Sequence, residues 1–186
     1  MKHLIQLAVA VALAFGTTQA FAAGSIIVTE PGDDGVNIET NAFNGSSFDI
    51  TRIVFDFSGT LTADGSNLVI DGSPTSITAP AGGSATFFGS GAVFGFDFTS
   101  FNSLETFSFS WDPDSATDAD YGALGFDFIG GIVTAYTTAG EYSATFDLVG
   151  SGPDVSAVIS PVPEPMTSAS LLAGLGVLGL VRRRRA

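Results

Sequence analysis

Apolar and polar residues alternate in short segments along most of the chain, and glycine, proline, serine, asparagine or aspartate separates one segment from the next. In VFGFDF, for example, Phe94, Phe96 and Phe98 share one face. A period of two residues predicts a half-buried β-strand, because successive side chains of a strand point to opposite faces of the sheet. The segments predicted as strands are SIIVTE (25–30), SFDITRIVFDF (47–57), NLVID (67–71), SATFF (84–88), VFGFDF (93–98), LETFSFSW (104–111), LGFDF (124–128), GIVTAYT (131–137) and YSATFDL (142–148).

These predicted strands follow one another without an intervening helix, since no stretch of residues 23–160 carries a sustained helical period. Glycine-rich turns join them, and glycine accounts for 23 of the 186 residues, well above the roughly 7% of an average protein. We therefore predict one all-β domain at residues 23–160, an antiparallel β-sandwich or jelly roll with a phenylalanine core. An N-terminal signal helix and a C-terminal transmembrane helix are expected to flank it.

Aspartate recurs between apolar residues of the predicted strands, at Asp56, Asp97, Asp127 and Asp147. Aspartate is depleted in strands, so the repetition needs a reason. We predict that each side chain points to solvent and opposes the association of one sheet with another. The alternative is a ladder of carboxylates that binds cations along one sheet face.

The first residues have the three parts of a secretory signal peptide. Lys2 gives a basic start, residues 4–15 are apolar, and small residues follow at Ala20 and Ala22. We predict a signal peptide at residues 1–22, cleaved after Ala22 or Ala20, and export through the Sec translocon.

Charged residues are distributed unevenly. Of the six basic residues, Lys2 lies in the predicted signal and four arginines lie near the C-terminus, which leaves Arg52 alone in the middle. Eighteen of the nineteen acidic residues lie between residues 23 and 163. Such an acidic surface repels phosphate backbones, so nucleic acid is excluded as a partner.

The middle of the chain lacks the residues of most catalytic sites. There is no cysteine, and the one histidine, His3, lies in the predicted signal. Disulfides, Ser/His/Asp and Cys/His catalysis and zinc–histidine sites are therefore unavailable. Hydrolysis by two carboxylates is the one catalytic chemistry left, and without an identifiable pair we predict that the protein is not an enzyme.

The densest acidic segment is WDPDSATDADYG, which contains Asp112, Asp114, Asp118 and Asp120. Carboxylates this close repel one another unless a cation or water screens them, and Ca²⁺ takes about six to eight oxygen ligands. These aspartates are a candidate calcium site, although their spacing does not match an EF-hand loop. The alternative is a solvated acidic turn after a strand that ends at Trp111.

Three elements follow one another in the C-terminal segment, residues 161–186. The middle one, residues 166–181, is an uncharged run of sixteen residues, slightly shorter than the roughly 17–25 of a usual membrane helix. Basic residues after such a helix stay in the cytoplasm, so the acidic domain is expected on the other side of the inner membrane. The motif before the run is Pro163, Glu164 and Pro165, and the cluster after it is Arg182, Arg183, Arg184 and Arg185.

The Pro-Glu-Pro motif, the apolar run and the arginine cluster together resemble the PEP-CTERM sorting signal. The resemblance covers the last 26 residues. It implies a Gram-negative bacterium with an exosortase, a membrane enzyme that recognises the motif and cleaves near it. It also implies transient anchoring in the inner membrane and then release to the cell surface or the outside, often in species that make exopolysaccharide or biofilm.

Two functions fit these expectations. The first is a non-enzymatic structural or adhesive component of an exopolysaccharide or biofilm matrix. The second is a carbohydrate-binding module, with calcium at the aspartates as a bridge to sugar hydroxyls. The aromatic platform of such a module would have to come from Trp111, Tyr121, Tyr136 and Tyr142.

Overall fold

The computed structural model describes residues 25–30 and 37–160. The predicted signal peptide with Ala20 and Ala22 lies outside the described residues, and so does the predicted sorting signal with its transmembrane helix. Among the residues that are described, no helix is long and apolar enough to cross a membrane.

The described part of the chain forms eleven strands and one short 3₁₀ helix at Gly125–Phe128. The predicted all-β class is therefore confirmed. The strands are β1 (Ile26–Glu30), β2 (Ile38–Asn44), β3 (Ile50–Asp56), β4 (Leu68–Thr78), β5 (Ala85–Ser90), β6 (Val93–Phe98), β7 (Thr106–Ser115), β8 (Ile132–Thr137), β9 (Gly140–Thr145), β10 (Asp147–Leu148) and β11 (Val155–Ile159).

The strands make two antiparallel sheets. The first sheet has the order β10-β11-β1-β2-β7-β4, and the second has the order β5-β6-β3-β8-β9. Their inner faces meet through aromatic rings: Phe55 of the second sheet lies 5.6 Å from Phe109 of the first, and Phe94 lies 4.9 Å from Trp111, between ring centroids. Such pairs stabilise by about 0.5–1.5 kcal/mol each beyond area burial.

Phenylalanine is the commonest residue of the core, which agrees with the prediction, but not every phenylalanine is buried. On β6 the rings of Phe94 and Phe96 are fully buried, as the period of the strand requires. Phe43 and Phe126, in contrast, are exposed to 37% and 60%. The buried phenylalanines are Phe55, Phe57, Phe94, Phe96, Phe98, Phe101, Phe107, Phe109, Phe128 and Phe146.

The prediction of a strand at LGFDF (124–128) is wrong, because residues 125–128 form the 3₁₀ helix. Asp127 is buried and accepts the backbone N–H of Leu124 at 2.8 Å and the hydroxyl of Tyr121 at 3.1 Å. A local side-chain hydrogen bond of this kind competes with a sheet ladder. Phe126 consequently points outward, while Phe128 enters the core.

The segment 142–148, predicted as one strand, is divided between the sheets. Residues to Thr145 belong to β9 in the second sheet, and β10 belongs to the first. The chain changes sheet at Phe146, whose ring is buried and whose backbone N–H donates to the carbonyl of Gly131 at 2.9 Å. The strands β2 and β11 were not among the predicted segments.

Candidate functional site

Strand β7 continues beyond the predicted end at Trp111 and reaches Ser115. The interpretation of the whole acidic segment as a turn is therefore wrong, and Pro113 is a strand residue paired with Ile70 of β4. The described pairing of β7 with β2 ends at Trp111. Because Pro113 lies beyond this point, its missing N–H removes no hydrogen bond from the described pairing of β7 with β2. The fixed φ of proline is compatible with an extended strand edge.

This extension places three carboxylates on the outer face of the first sheet. Asp112 lies directly opposite Asp71 of β4, and Asp114 is paired with the neighbouring Val69. Side chains directly opposite in an antiparallel pair have Cβ atoms about 4.5–5.5 Å apart, and like charges there are destabilising. Asp71 was not among the predicted site residues, because it is distant in sequence from the aspartates it joins.

Asp114 is the least solvated of these groups. Its side chain is 3% exposed, and its Oδ2 atom is buried without a hydrogen-bond partner among the described residues. Burial first, and then the negative charges of Asp112, Asp71, Asp118 and Asp120, raise the pKa of Asp114 to about 6. A buried polar atom without a partner is rare in folded proteins and points to a missing ion or water.

The turn after β7 completes the surroundings of Asp114. Asp71, Asp114, Thr117 and Asp118 line an open depression of about 300 Å³. Asp120 is exposed and donates its backbone N–H to Asp118 Oδ1 at 3.1 Å. Within the described ranges no three acidic or histidine side chains converge closely enough to form a preassembled metal site. The calcium site at Asp112, Asp114, Asp118 and Asp120 thus stays a prediction, with Asp114 and Asp118 of the four lining the depression.

A sixth carboxylate, Asp64, fixes the wall of the depression. It accepts hydrogen bonds from the hydroxyls of Ser115 and Thr117, the latter at 2.9 Å, and from Thr62 at 2.5 Å. These bonds, led by the one from Ser115, lower the pKa of Asp64. Asp64 therefore stays ionised and holds the turn, in contrast to the unpartnered Asp114.

Another buried acid lies in the first sheet. Glu30, at the end of β1, is 1% exposed, and Thr40 Oγ1 lies 2.7 and 2.6 Å from its two carboxyl oxygens. Burial raises the pKa of Glu30 to about 8, against the opposing effect of hydrogen bonds with Thr40 and Trp111. Glu30 is missing from the predicted site residues, although it shares the alternating face of Ile26 and Val28.

The proposed aromatic platform is not supported by the positions of its rings. Trp111 is 1% exposed and donates its indole N–H to Thr40 Oγ1 at 2.8 Å, so it cannot stack on a sugar. Tyr121 donates its hydroxyl to Asp127, and Tyr142 packs against the core. Tyr136 alone of the four stands half-buried on the outer face of the second sheet.

The four recurring aspartates do not form a ladder. Asp56 and Asp97 belong to the second sheet, Asp147 belongs to the first, and Asp127 lies in the 3₁₀ helix. The prediction that all four point to solvent is wrong for Asp127, which is buried. Asp97 pairs with Arg52, whose Nε lies 2.6 Å from Asp97 Oδ1 and whose guanidinium carbon lies 4.7 Å from the ring centroid of Phe88.

The comparisons with known proteins concern the C-terminal segment. The PEP-CTERM protein-sorting motif matches residues 161–185, which include Pro163, Glu164, Pro165 and Arg182–Arg185. No curated protein and no solved structure matches the chain. The motif is the recognition signal of exosortase and implies an exported protein that passes through a membrane-anchored stage.

Proposed function

We propose that the acidic β-domain is a non-enzymatic structural or adhesive component of an exopolysaccharide or biofilm matrix. The observation that carries this proposal is the sorting motif at residues 161–185, since it directs the domain to the outside of the cell. The domain suits such a place, because its core of packed aromatic rings needs no disulfide. Between residues 4 and 181 the chain has no histidine, cysteine or lysine for nucleophilic or general-base catalysis.

The route to that place follows from the two ends of the chain. The signal peptide would direct the chain to the Sec translocon, and residues 166–181 would hold it in the inner membrane with Arg182–Arg185 in the cytoplasm. Exosortase would then cleave near Pro163, Glu164 and Pro165 and release the domain to the surface.

The test uses the native host, with the gene deleted and then restored as the wild-type chain or as Glu164→Gln. We expect the wild-type chain to be shortened, released and recovered with the polysaccharide matrix. We expect the deletion strain to lose matrix cohesion, and Glu164→Gln to remain unprocessed in the membrane and to show the same loss. Glu141→Gln, an exposed change in the domain, is the matched control and should behave as wild type.

These experiments distinguish a failure of the sorting route from a failure of the matrix role. Normal release of Glu164→Gln would contradict the sorting route. Normal matrix cohesion in the deletion strain, with the released domain found free in the medium, would contradict the matrix role and leave the sorting route intact.

A second function, carbohydrate binding, is favoured by one row on the second sheet. Arg52 lies opposite Asp97 on one side and Tyr136 on the other, so a carboxylate, a guanidinium and a phenol ring adjoin on an exposed face. Aromatic rings of this kind stack on the faces of sugars, and charged groups form hydrogen bonds with the sugar hydroxyls. Binding to host polysaccharide that is lost in Tyr136→Ala but kept in Tyr136→Phe would support this function, and binding by Tyr136→Ala equal to that of the wild type would contradict it.

A further inference from the structure

The outer face of β4 and β7 carries negative charge that the protein does not neutralise itself. Asp71 and Asp112 stand opposite one another, and Asp114 and Asp118 adjoin the same depression. Between residues 4 and 181 the chain has one basic residue, Arg52, and that residue is paired with Asp97 on the other sheet. The charge at this face therefore needs a counterion from solution.

Hydrogen bonds do not meet this need at Asp114. Its Oδ2 atom is buried and has no partner among the described residues, although the side chain lines the depression. Asp64, which contacts the same turn, has several donors at once. Asp64 thus has several hydrogen-bond donors, whereas Asp114 Oδ2 has none among the described residues. This arrangement is expected where a cation takes the place of the donors.

We propose that the depression between β4 and the turn after β7 is a divalent cation site in which Asp114 is the central ligand and Asp71 and Asp118 are its flanking ligands. This set differs from the cluster of sequence neighbours, because Asp71 enters from another strand and both Asp112 and Asp120, which do not line the depression, are left out. The proposal does not rest on the matrix role, since it concerns the isolated protein.

The donor atoms of the residues that line the depression indicate which metal ion it would bind. All donors are oxygens, from carboxylates, hydroxyls and backbone, and no sulfur or imidazole is present among the lining residues. Oxygen donors favour Ca²⁺ or Mg²⁺ over zinc and copper. Ca²⁺ accepts irregular geometry and about six to eight ligands, whereas Mg²⁺ requires a near-ideal octahedron. Since the three carboxylates are not drawn together in advance, we expect calcium to bind with water completing its shell.

Weak binding suits such a site. Extracellular calcium modules bind with dissociation constants of about 10⁻⁴–10⁻³ M, and this site should fall in that range. The bonds from Ser115 and Thr117 to Asp64 keep the wall of the depression in place before the cation arrives. Only the carboxylates of Asp71 and Asp118 then have to move toward Asp114.

Terbium luminescence tests the proposal directly. Tb³⁺ replaces Ca²⁺ at oxygen sites and emits when a nearby indole transfers energy to it, and Trp111 is the one tryptophan of the whole chain and directly precedes Asp112. The full chain is purified in a non-ionic detergent, freed of metal with EDTA and titrated with Tb³⁺ and then with Ca²⁺. We expect saturable emission that calcium reverses.

The variants locate the site. Asp114→Asn and Asp71→Asn should each weaken Tb³⁺ binding by tenfold or more. Asp120→Asn, in the same turn but outside the lining, and Asp49→Asn, between β2 and β3 and also outside the lining, should bind like the wild type. Circular dichroism checks that each variant is folded, and the exposed Asp71 provides a second test if Asp114→Asn is unstable.

Three results would overturn the proposal. The first is the absence of calcium-reversible emission up to millimolar cation. The second is full binding by both Asp114→Asn and Asp71→Asn. The third is an equal loss in Asp120→Asn, which would show diffuse attraction by an acidic surface and no defined site.

Discussion

Trp111 donates its indole N–H to the hydroxyl of Thr40 at 2.8 Å, and the same hydroxyl contacts both carboxyl oxygens of Glu30. The three residues come from β7, β2 and β1, which are neighbours in the first sheet. This chain of hydrogen bonds places an acid inside the hydrophobic core. The energetics of that acid make the stability of the domain depend on pH.

Stability should fall as pH rises because of Glu30. Its pKa is about 8 in the folded protein against 4.5 as the ordinary value, so the folded state binds more protons than the unfolded state between these two pH values. The free energy of unfolding therefore decreases across this window, by a few kcal/mol in order of magnitude, and the decrease is complete above about pH 8. Urea unfolding measured from pH 4.5 to 9 tests this expectation.

The variant Glu30→Gln isolates this contribution, because an amide of the same shape does not ionise. We expect its stability to vary less with pH than that of the wild type between pH 4.5 and 8. Glu39→Gln, an exposed change on the neighbouring strand β2, is the matched control and should keep the wild-type slope. Parallel curves for Glu30→Gln and the wild type would show that Glu30 is not the titrating group.

Replacement of Thr40 should destabilise the domain at every pH. Thr40→Val keeps the shape of the side chain but leaves the indole N–H of Trp111 and the carboxyl group of Glu30 without this partner. A buried polar group that loses its partner costs about 1–3 kcal/mol. Thr86→Val, at an exposed threonine of β5, should have little effect in the same urea titration. Equal stability of Thr40→Val and the wild type would contradict the importance of this hydroxyl.

The backbone of the second sheet leaves no room for a side chain at Gly95. A Cβ atom there would lie 2.2 Å from the carbonyl oxygen of Ile53 and 2.8 Å from the ring of Phe88. Backbone cannot yield as a flexible side chain does, so Gly95→Ala should lower the free energy of unfolding by about 1–3 kcal/mol or more. Gly59→Ala, whose Cβ would meet its nearest atom at 3.7 Å, is the matched control. Equal melting temperatures of Gly95→Ala and Gly59→Ala in thermal unfolding would contradict the crowding at this strand.

The alternation of residues predicted most of the fold because most strands bury one apolar face. It failed at LGFDF, which has the same pattern as β6, because Asp127 bonds to Leu124 and to Tyr121 instead of facing solvent. It missed β2 because two of the buried positions on that strand are Thr40 and Asn44. A polar residue that finds its partner in a distant segment cannot be recognised from hydrophobic periodicity alone.

The candidate site could be predicted in part for a related reason. The local density of aspartates drew attention to Asp112 and Asp114, but only the pairing of β4 with β7 brings Asp71 opposite Asp112. Glu30 could have been found from the sequence, since it falls on the same alternating face as Ile26 and Val28 in SIIVTE. An acid at a core position of a predicted strand is a signal worth testing in similar sequences.

Neutralising Asp114 should stabilise the protein in the absence of calcium. Burial and four neighbouring carboxylates raise the pKa of Asp114 from 3.8 to about 6, so the folded state binds more protons between these values and stability falls as pH rises through them. Asp114→Asn removes the charge, so its urea midpoint at pH 7 in EDTA should be higher than that of the wild type. Added calcium should then raise the midpoint of the wild type but not that of the variant, because a ligand stabilises only the state that binds it. Asp120→Asn should respond to calcium like the wild type, and a lower midpoint for Asp114→Asn in EDTA would show that its carboxylate stabilises the fold without a cation.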